Sequence, residues 1–220
     1  MLLLLVFAGP NISMSNTSFD GVLSFPREVT IEPESGVLRF APVKEFMVLR
    51  RMHEHQEGVH IAKGGTGVAF SMKGQMLDIE IVFAPSTAAE FGVQVLASAD
   101  FSTEVVRIGF NASRQSAFID VRNASAGSVG MPWVYDAPLT LTAGRSFAMR
   151  CLIDQSVLEC FFDEVEAGAA SQPRSYRRVI TARSYFSQPT SAHIGLYSFG
   201  AASVAASADV WAVAATDGGG

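Results

Sequence analysis

A chain of 220 residues has room for one large domain and buries roughly 70% of its extended surface, so its core needs no disulfide or metal. With 49% hydrophobic residues, 17% charged residues and a net charge of −5, it is neither a disordered charged tail nor a carrier of the basic footprint that nucleic acid demands. Two cysteines exclude a disulfide framework and a four-ligand zinc ribbon, and no 20-residue apolar stretch is present to span a membrane as a helix.

The chain opens on an apolar run, Met1–Ala8, followed by Gly9-Pro10-Asn11. No Lys or Arg precedes it, so it reads as a buried strand rather than a signal peptide. Residues 42–58 carry Val43, Phe46, Leu49 and Met52 at helical spacing, which fits a short helix or an extended linker. Period-two strands follow: Leu77, Ile79, Ile81 and Phe83; then Phe91, Val93 and Val95; then Val106, Ile108 and Phe110; then Ala117, Ile119 and Val121. The connections Ala84-Pro85-Ser86, Ser98-Ala99-Asp100 and Asn111-Ala112-Ser113 are turn chemistry. Short strands with no long helix between them predict an all-β sandwich of two antiparallel sheets, a jelly roll of the lectin or glucanase kind.

After a Gly-, Ser- and Pro-containing loop at 123–138, Phe147–Ile153 and Val157–Phe162 flank Asp154-Gln155-Ser156 as a hairpin. A two-residue turn at Gln155-Ser156 sets Cys151 opposite Cys160 and makes Arg150 and Glu159 diagonal neighbours, a surface ion pair. Cross-strand disulfides strain their geometry, so two free thiols are expected. Ala201–Ala215 is helical by propensity, yet Val204, Val210, Trp211 and Val213 also suit a closing strand. The division expected is 1–18 as an arm, 19–58 as an entry strand and linker, 59–215 as the sandwich, and 216–220 as a frayed tail.

Legible chemistry is sparse. His53, His55 and nearby His60 place two imidazoles on one strand face, but no partner ligand sits at a matching spacing, so the segment reads as a solvated connector. Arg174, Arg177, Arg178 and Arg183 read as a solvated edge that resists sheet pairing rather than a phosphate grip. Gly64-Gly65-Thr66-Gly67 lacks the Lys-Ser/Thr of a phosphate loop and reads as a simple loop. Sequons at Asn11, Asn16, Asn111 and Asn123 point to a secreted or vacuolar protein. No nucleophile–His–Asp set and no facing carboxylate pair can be read, so no catalytic residue, metal or cofactor is assigned.

Three segments together resemble the C-terminal β-sandwich module of glycoside hydrolase family 32, the invertase, levanase and inulinase group. They are Phe19–Ile31 with Pro26-Arg27-Glu28, followed by Gly36–Val43 and Leu49-Arg50; the hairpin Arg150–Phe162 with Asp154, Ser156 and Glu159; and Ile180–Tyr185, Ile194–Gly200 and Asp209-Val210-Trp211. The resemblance implies a module whose Pro26, Arg27, Glu28, Asp154, Ser156, Glu159 and Trp211 are structural. It also implies a partner, the catalytic propeller joined upstream in cis, and leaves open a fructan or sucrose-type glycan, a lectin-like role and a homodimer. The family's N-D-P-N and R-D-P motifs are missing. Glu159-Cys160 matches its E-C acid/base pair in letters only, because it lies in the sandwich hairpin. On the same alignment Leu2–Ala8 resembles the last propeller strand, left without its neighbours, and Met1 an internal residue of a longer chain.

Overall fold

The computed structural model describes residues 2–3, 6–8, 21–126, 133–168 and 175–213. The sequons Asn11 and Asn16, Arg174 and the tail 216–220 lie outside them. An arm comes first: β1 (Leu2–Leu3), β2 (Val6–Ala8), β3 (Gly21–Leu23), β4 (Arg27–Ile31) and β5 (Leu38–Pro42), then a short 3-10 helix at Lys44–Leu49. β1 pairs with β4 and β2 with β3, so the opening apolar run has strand partners within this chain, against the expectation that it stands without them.

The sandwich is built from β6 (Arg50–Ile61), β7 (Gly65–Ala69), β8 (Met76–Phe83), β9 (Glu90–Ala97), β10 (Val105–Asn111), β11 (Ser116–Asn123), β12 (Val134–Pro138), β13 (Ser146–Asp154), β14 (Val157–Val165), β15 (Arg178–Arg183), β16 (His193–Phe199) and β17 (Val204–Val213). One sheet runs β12-β11-β10-β9-β16-β7 and the other β15-β14-β13-β8-β17-β6, all antiparallel, which is the predicted sandwich. The ambiguous 42–58 segment resolves into both readings, helix through Leu49 and strand from Arg50, so β6 crosses the division placed at residue 58. The Ala-rich 204–213 is strand because it closes between β8 and β6, where pairing on both sides outweighs a helix propensity of a few tenths of a kcal/mol per residue.

Alternation puts one face of each strand into the space between the sheets. Phe147 is fully buried there, with the rings of Phe110, Phe91, Phe162 and Phe83 at 5.5, 5.9, 5.9 and 6.1 Å. Cys151 and Cys160 are free, buried and directly opposite each other, as the two-residue turn requires. Gln155 takes a left-handed φ of 50° to make that turn. Where β9 meets β10, Gly92 lies across from Gly109, and a Cβ on Gly92 would fall 2.0 Å from the Ile108 carbonyl oxygen. The two strands approach closely because neither residue carries a side chain. Gly92→Ala is expected to unfold the protein or cost several kcal/mol, measured by urea denaturation.

One polar side chain inside the fold acts as a knot. Glu104 is fully buried, and its carboxylate accepts hydrogen bonds from the Ala126, Ser187 and Gln188 amides and from the Ser187 and Ser191 hydroxyls. It thereby ties the loops before β10, after β11 and before β16. Burial works against its charge, yet these donors outweigh burial and hold its pKa down to about 2. A pKa below the ordinary 4.5 means stability that is full above pH 4.5 and lost as pH falls toward 2. Glu104→Gln is expected to destabilise by about 3 kcal/mol at neutral pH and to shrink the acid-side slope between those values, read from thermal melts against pH.

Candidate functional site

Alternation also sends a second set of side chains to the opposite face of the β15–β6 sheet, and the arm lies on that face. Leu152, Phe161 and Tyr176 are buried there against Phe25, Phe40, Phe46 and Val179. β5 is held at its centre by a reciprocal pair of backbone bonds between Phe40 and Tyr176. Between these apolar contacts sit carboxylates that the arm covers. Glu159 is fully buried, with Arg27 Nε 3.0 Å from its Oε1 and the Phe25 amide donating to Oε2 at 3.1 Å. Asp163 receives Arg39 at 2.7 Å and Arg177 at 2.5 Å. Asp78 receives Arg50 at 2.7 Å and Arg150 at 2.8 Å, and both arginines also reach Glu80.

The expected Arg150–Glu159 surface pair is therefore not formed. Both residues lie on the predicted face, but β8 offers Arg150 the carboxylates Asp78 and Glu80, while the arm delivers Arg27 to Glu159. The face is not a surface either. The Arg27–Glu159 contact is a close ion pair without good hydrogen-bond alignment, since neither Arg27 Nε nor Glu159 Oε1 makes a hydrogen bond. Burial consequently dominates: it pushes the Glu159 pKa up to about 7 against the pull of Arg27 and the Phe25 amide, and it lowers that of Arg27.

The other residues singled out by sequence are dispersed. Pro26 accepts a bond from the Val43 amide, and Glu28 is exposed on β4. Asp154 and Ser156 bound the hairpin turn, which Gln75 and Ser184 grip through backbone bonds to Gln155 and Ser156. A cavity of about 340 Å³ opens beside Asp154, between Phe25 and Phe46 of the arm and Leu152 and Val213 of the sheet. The three described members of the basic group do not form a solvated edge: β15 is the edge strand, but Arg183 is buried beside the Tyr185 ring, Arg177 pairs with Asp163 and Glu164, and Arg178 bonds the Pro138 carbonyl. Gly64 makes a left-handed turn into the edge strand β7. Asn123 is exposed, whereas the Asn111 amide donates to Glu90.

The histidines acquire a ligand partner that sequence spacing hides. β17 runs antiparallel to β6 and sets Asp209 opposite His55 and Trp211 opposite His53. Asp209 Oδ1 lies 2.7 Å from His53 Nε2 and 2.8 Å from His55 Nδ1, and His55 Nε2 is 3.3 Å from Glu57. The His53 ring stacks on Trp211 at 4.6 Å, and Arg50 lies over the same indole at 3.5 Å. Asp209 first, and Glu57 after it, raise the pKa of His55. His60 is not part of the group. Residues 154 positions apart in sequence leave no local signal of such a cluster.

Because Glu159 binds its proton more tightly folded than unfolded, its contribution is full below pH 4.5 and is lost as pH rises through about 7. Thermal or urea melts are expected to show stability falling by up to about 3 kcal/mol across that window, with the slope flattened in Glu159→Gln. Arg27→Ala is expected to cost about 3–5 kcal/mol at pH 8, and less at pH 5 where Glu159 can hold a proton.

Residues 45–212 match the family described as "Glycosyl hydrolases family 32 C terminal". An Aspergillus rugulosus protein named "Putative glycosyl hydrolase ecdE" is 34% identical over 108 residues, which cover 45% of this chain and 15% of that protein. Fructan 1-exohydrolase IIa from Cichorium intybus superposes with a TM-score of 0.74 at 18% identity, over 96% of this chain and 44% of that one. The exo-inulinase of Aspergillus awamori gives 0.72 at 20% identity, over 94% and 38%. The chain thus spans less than half the length of each of these proteins, and at such identity the superpositions establish the fold.

Proposed function

This chain belongs to the glycosyl hydrolases family 32 C-terminal family, and from that premise we propose that it is the non-catalytic sandwich of a β-fructofuranosidase-type enzyme. Its role is to hold the segment that leads in from an upstream catalytic domain of the same polypeptide, and so to stabilise that domain and shape its cleft. The observation that carries this reading is the arm. Arg27 and Arg39 of the arm, and Arg50 where the arm passes into β6, each meet a buried carboxylate of one sheet. A segment fastened in this way is a rigid mount for whatever precedes it.

Two further observations support it. Glu159, the one glutamate whose neighbours resemble the family's acid/base motif, is sealed at zero exposure and has no path to a sugar. The same arm and the start of β6 expose Leu23, Ile31, Leu38, Met47, Val48 and Met52, at 48–71% of their surface, a concentration of apolar area that suits a partner domain. The accessible Asn123 sequon supports residence in a glycosylating, secretory or vacuolar compartment, testable as an endoglycosidase-sensitive mobility shift.

The purified chain is expected to release no fructose from sucrose, inulin or levan. Co-expressed with a family 32 propeller lacking its own sandwich, it is expected to co-purify and to raise the propeller's melting temperature, with Arg27→Ala weakening both effects. Fructose release that Glu159→Gln abolishes would overturn the non-catalytic reading. Failure to associate, together with saturable binding of a fructan by the chain alone, would replace it with a lectin-like role.

A further inference from the structure

We propose that His53, His55 and Asp209 form a binding site for one borderline divalent cation of the zinc type, clipping strand β6 to strand β17. The three ligand atoms, one from each side chain, all lie within 4.8 Å of one another. Two imidazole nitrogens and a carboxylate oxygen are a donor set that suits zinc and its first-row neighbours rather than calcium or magnesium, which take oxygen ligands. Metal–ligand distances of about 2.0–2.2 Å in a tetrahedron put ligand atoms roughly 3.4 Å apart. His53 Nε2 and His55 Nδ1 stand 2.7 and 2.8 Å from Asp209 Oδ1, so a rotation of a few tenths of an ångström outward opens the space for an ion.

The side chains around the three ligands are arranged as a metal centre requires. Pairing of Asp209 with His55 and of Trp211 with His53 fixes the backbone positions from which the ligands project. The stack on Trp211, itself in contact with Arg50, holds the His53 ring at an interplanar angle of 4°. His55 would bind the ion through Nδ1 and carry its proton on Nε2, where Glu57 Oε2 lies 3.3 Å away to accept it. A carboxylate behind a ligating imidazole orients the ring and increases its basicity. The three protein ligands leave the fourth position to water, and the partial exposure of both histidines gives the ion a way in.

The consequence for the fold is a cross-link at an open edge. β6 is the edge strand of its sheet and the direct continuation of the arm. An ion spanning it to β17 adds a tie where the sheet has a neighbour on one side only. The site is independent of the enzyme assignment, since its ligands are neither Glu159 nor any arginine that faces it.

The test uses the full chain with any histidine tag removed, at about pH 8, where protons compete less with the metal for the ligands. Titration calorimetry with zinc chloride is expected to give one saturable site, and zinc is expected to raise the melting temperature. His55→Ala and Asp209→Asn are each expected to weaken binding at least tenfold and to abolish the thermal shift, while Glu57→Gln weakens it about tenfold. His60→Ala and His193→Ala are expected to change nothing. Cobalt substitution should produce the intense visible bands of a four-coordinate ion. Because the ligands are surface-exposed, the variants should keep the wild-type far-UV spectrum, so loss of binding cannot be assigned to unfolding. No saturable binding, or binding that persists in both ligand variants, would overturn the proposal.

Discussion

The outer face of the β15–β6 sheet depends on one constraint: a carboxylate taken out of water must be met by a cation or by hydrogen-bond donors. Asp78, Glu159 and Asp163 project from the outer face of the β15–β6 sheet and are almost completely buried. Their burial is possible because the arm lies over them with Arg27 and Arg39 in place and enters β6 at Arg50. Each half covers what the other would leave exposed. Without the arm the sheet would present an acidic outer face to water; without the sheet the arm's arginines and its Phe25, Phe40 and Phe46 would have nothing to cover. Replacing such pairs by apolar groups is often neutral or favourable, whereas removing one partner is strongly unfavourable. What the pairs secure is register: Arg27 meets Glu159, Arg39 meets Asp163 and Arg50 meets Asp78 with Glu80, so the arm can settle in one place.

The two faces of this sheet therefore do different work with the same alternation. The inner face joins the phenylalanine cluster around Phe147 and supplies much of the apolar core. The outer face mixes a small aromatic layer with ion pairs and behaves like an interface between two parts of a molecule. Glu159 shows the cost of that mixture. Its carboxyl is driven toward the neutral form by burial although an arginine stands 3.0 Å away, because the pair lacks good hydrogen-bond alignment. Glu104 presents the reverse balance: equally buried, it accepts enough amide and hydroxyl donors to remain ionised. Counting donors, rather than measuring burial, separates the two.

Membership of the family 32 C-terminal group fits this division of labour. The arm carries most of the large apolar side chains that the described residues leave exposed, and it is joined firmly to a sandwich that has a complete core of its own. The arm and the sheet meet through buried contacts of both kinds, apolar and charged. The motif letters Glu159-Cys160 illustrate the point: in the fold the glutamate is closed off by Arg27 and Phe25, and the cysteine faces the inter-sheet core.

From sequence alone the sandwich was legible, because alternation with period two needs only one strand at a time to be seen. Leu77–Phe83, Phe91–Val95 and the hairpin that sets Cys151 opposite Cys160 all carry their own signal. The family motifs were legible in the same way, as short runs of neighbouring residues. Tertiary structure decided what the second face of each strand meets. Asp78 and Glu80 alternate with Leu77, Ile79 and Ile81 in a pattern indistinguishable from a solvated face, until the arm and Arg150 are brought against them. The Ala-rich closing segment became strand because two neighbours claimed its hydrogen bonds, and Gly92 met Gly109 because β9 and β10 had to approach. Asp209 joined His53 and His55 only through the pairing of β17 with β6. Local periodicity is written in neighbouring residues, whereas a charge pair or ligand set is written in residues that only a completed sheet brings together.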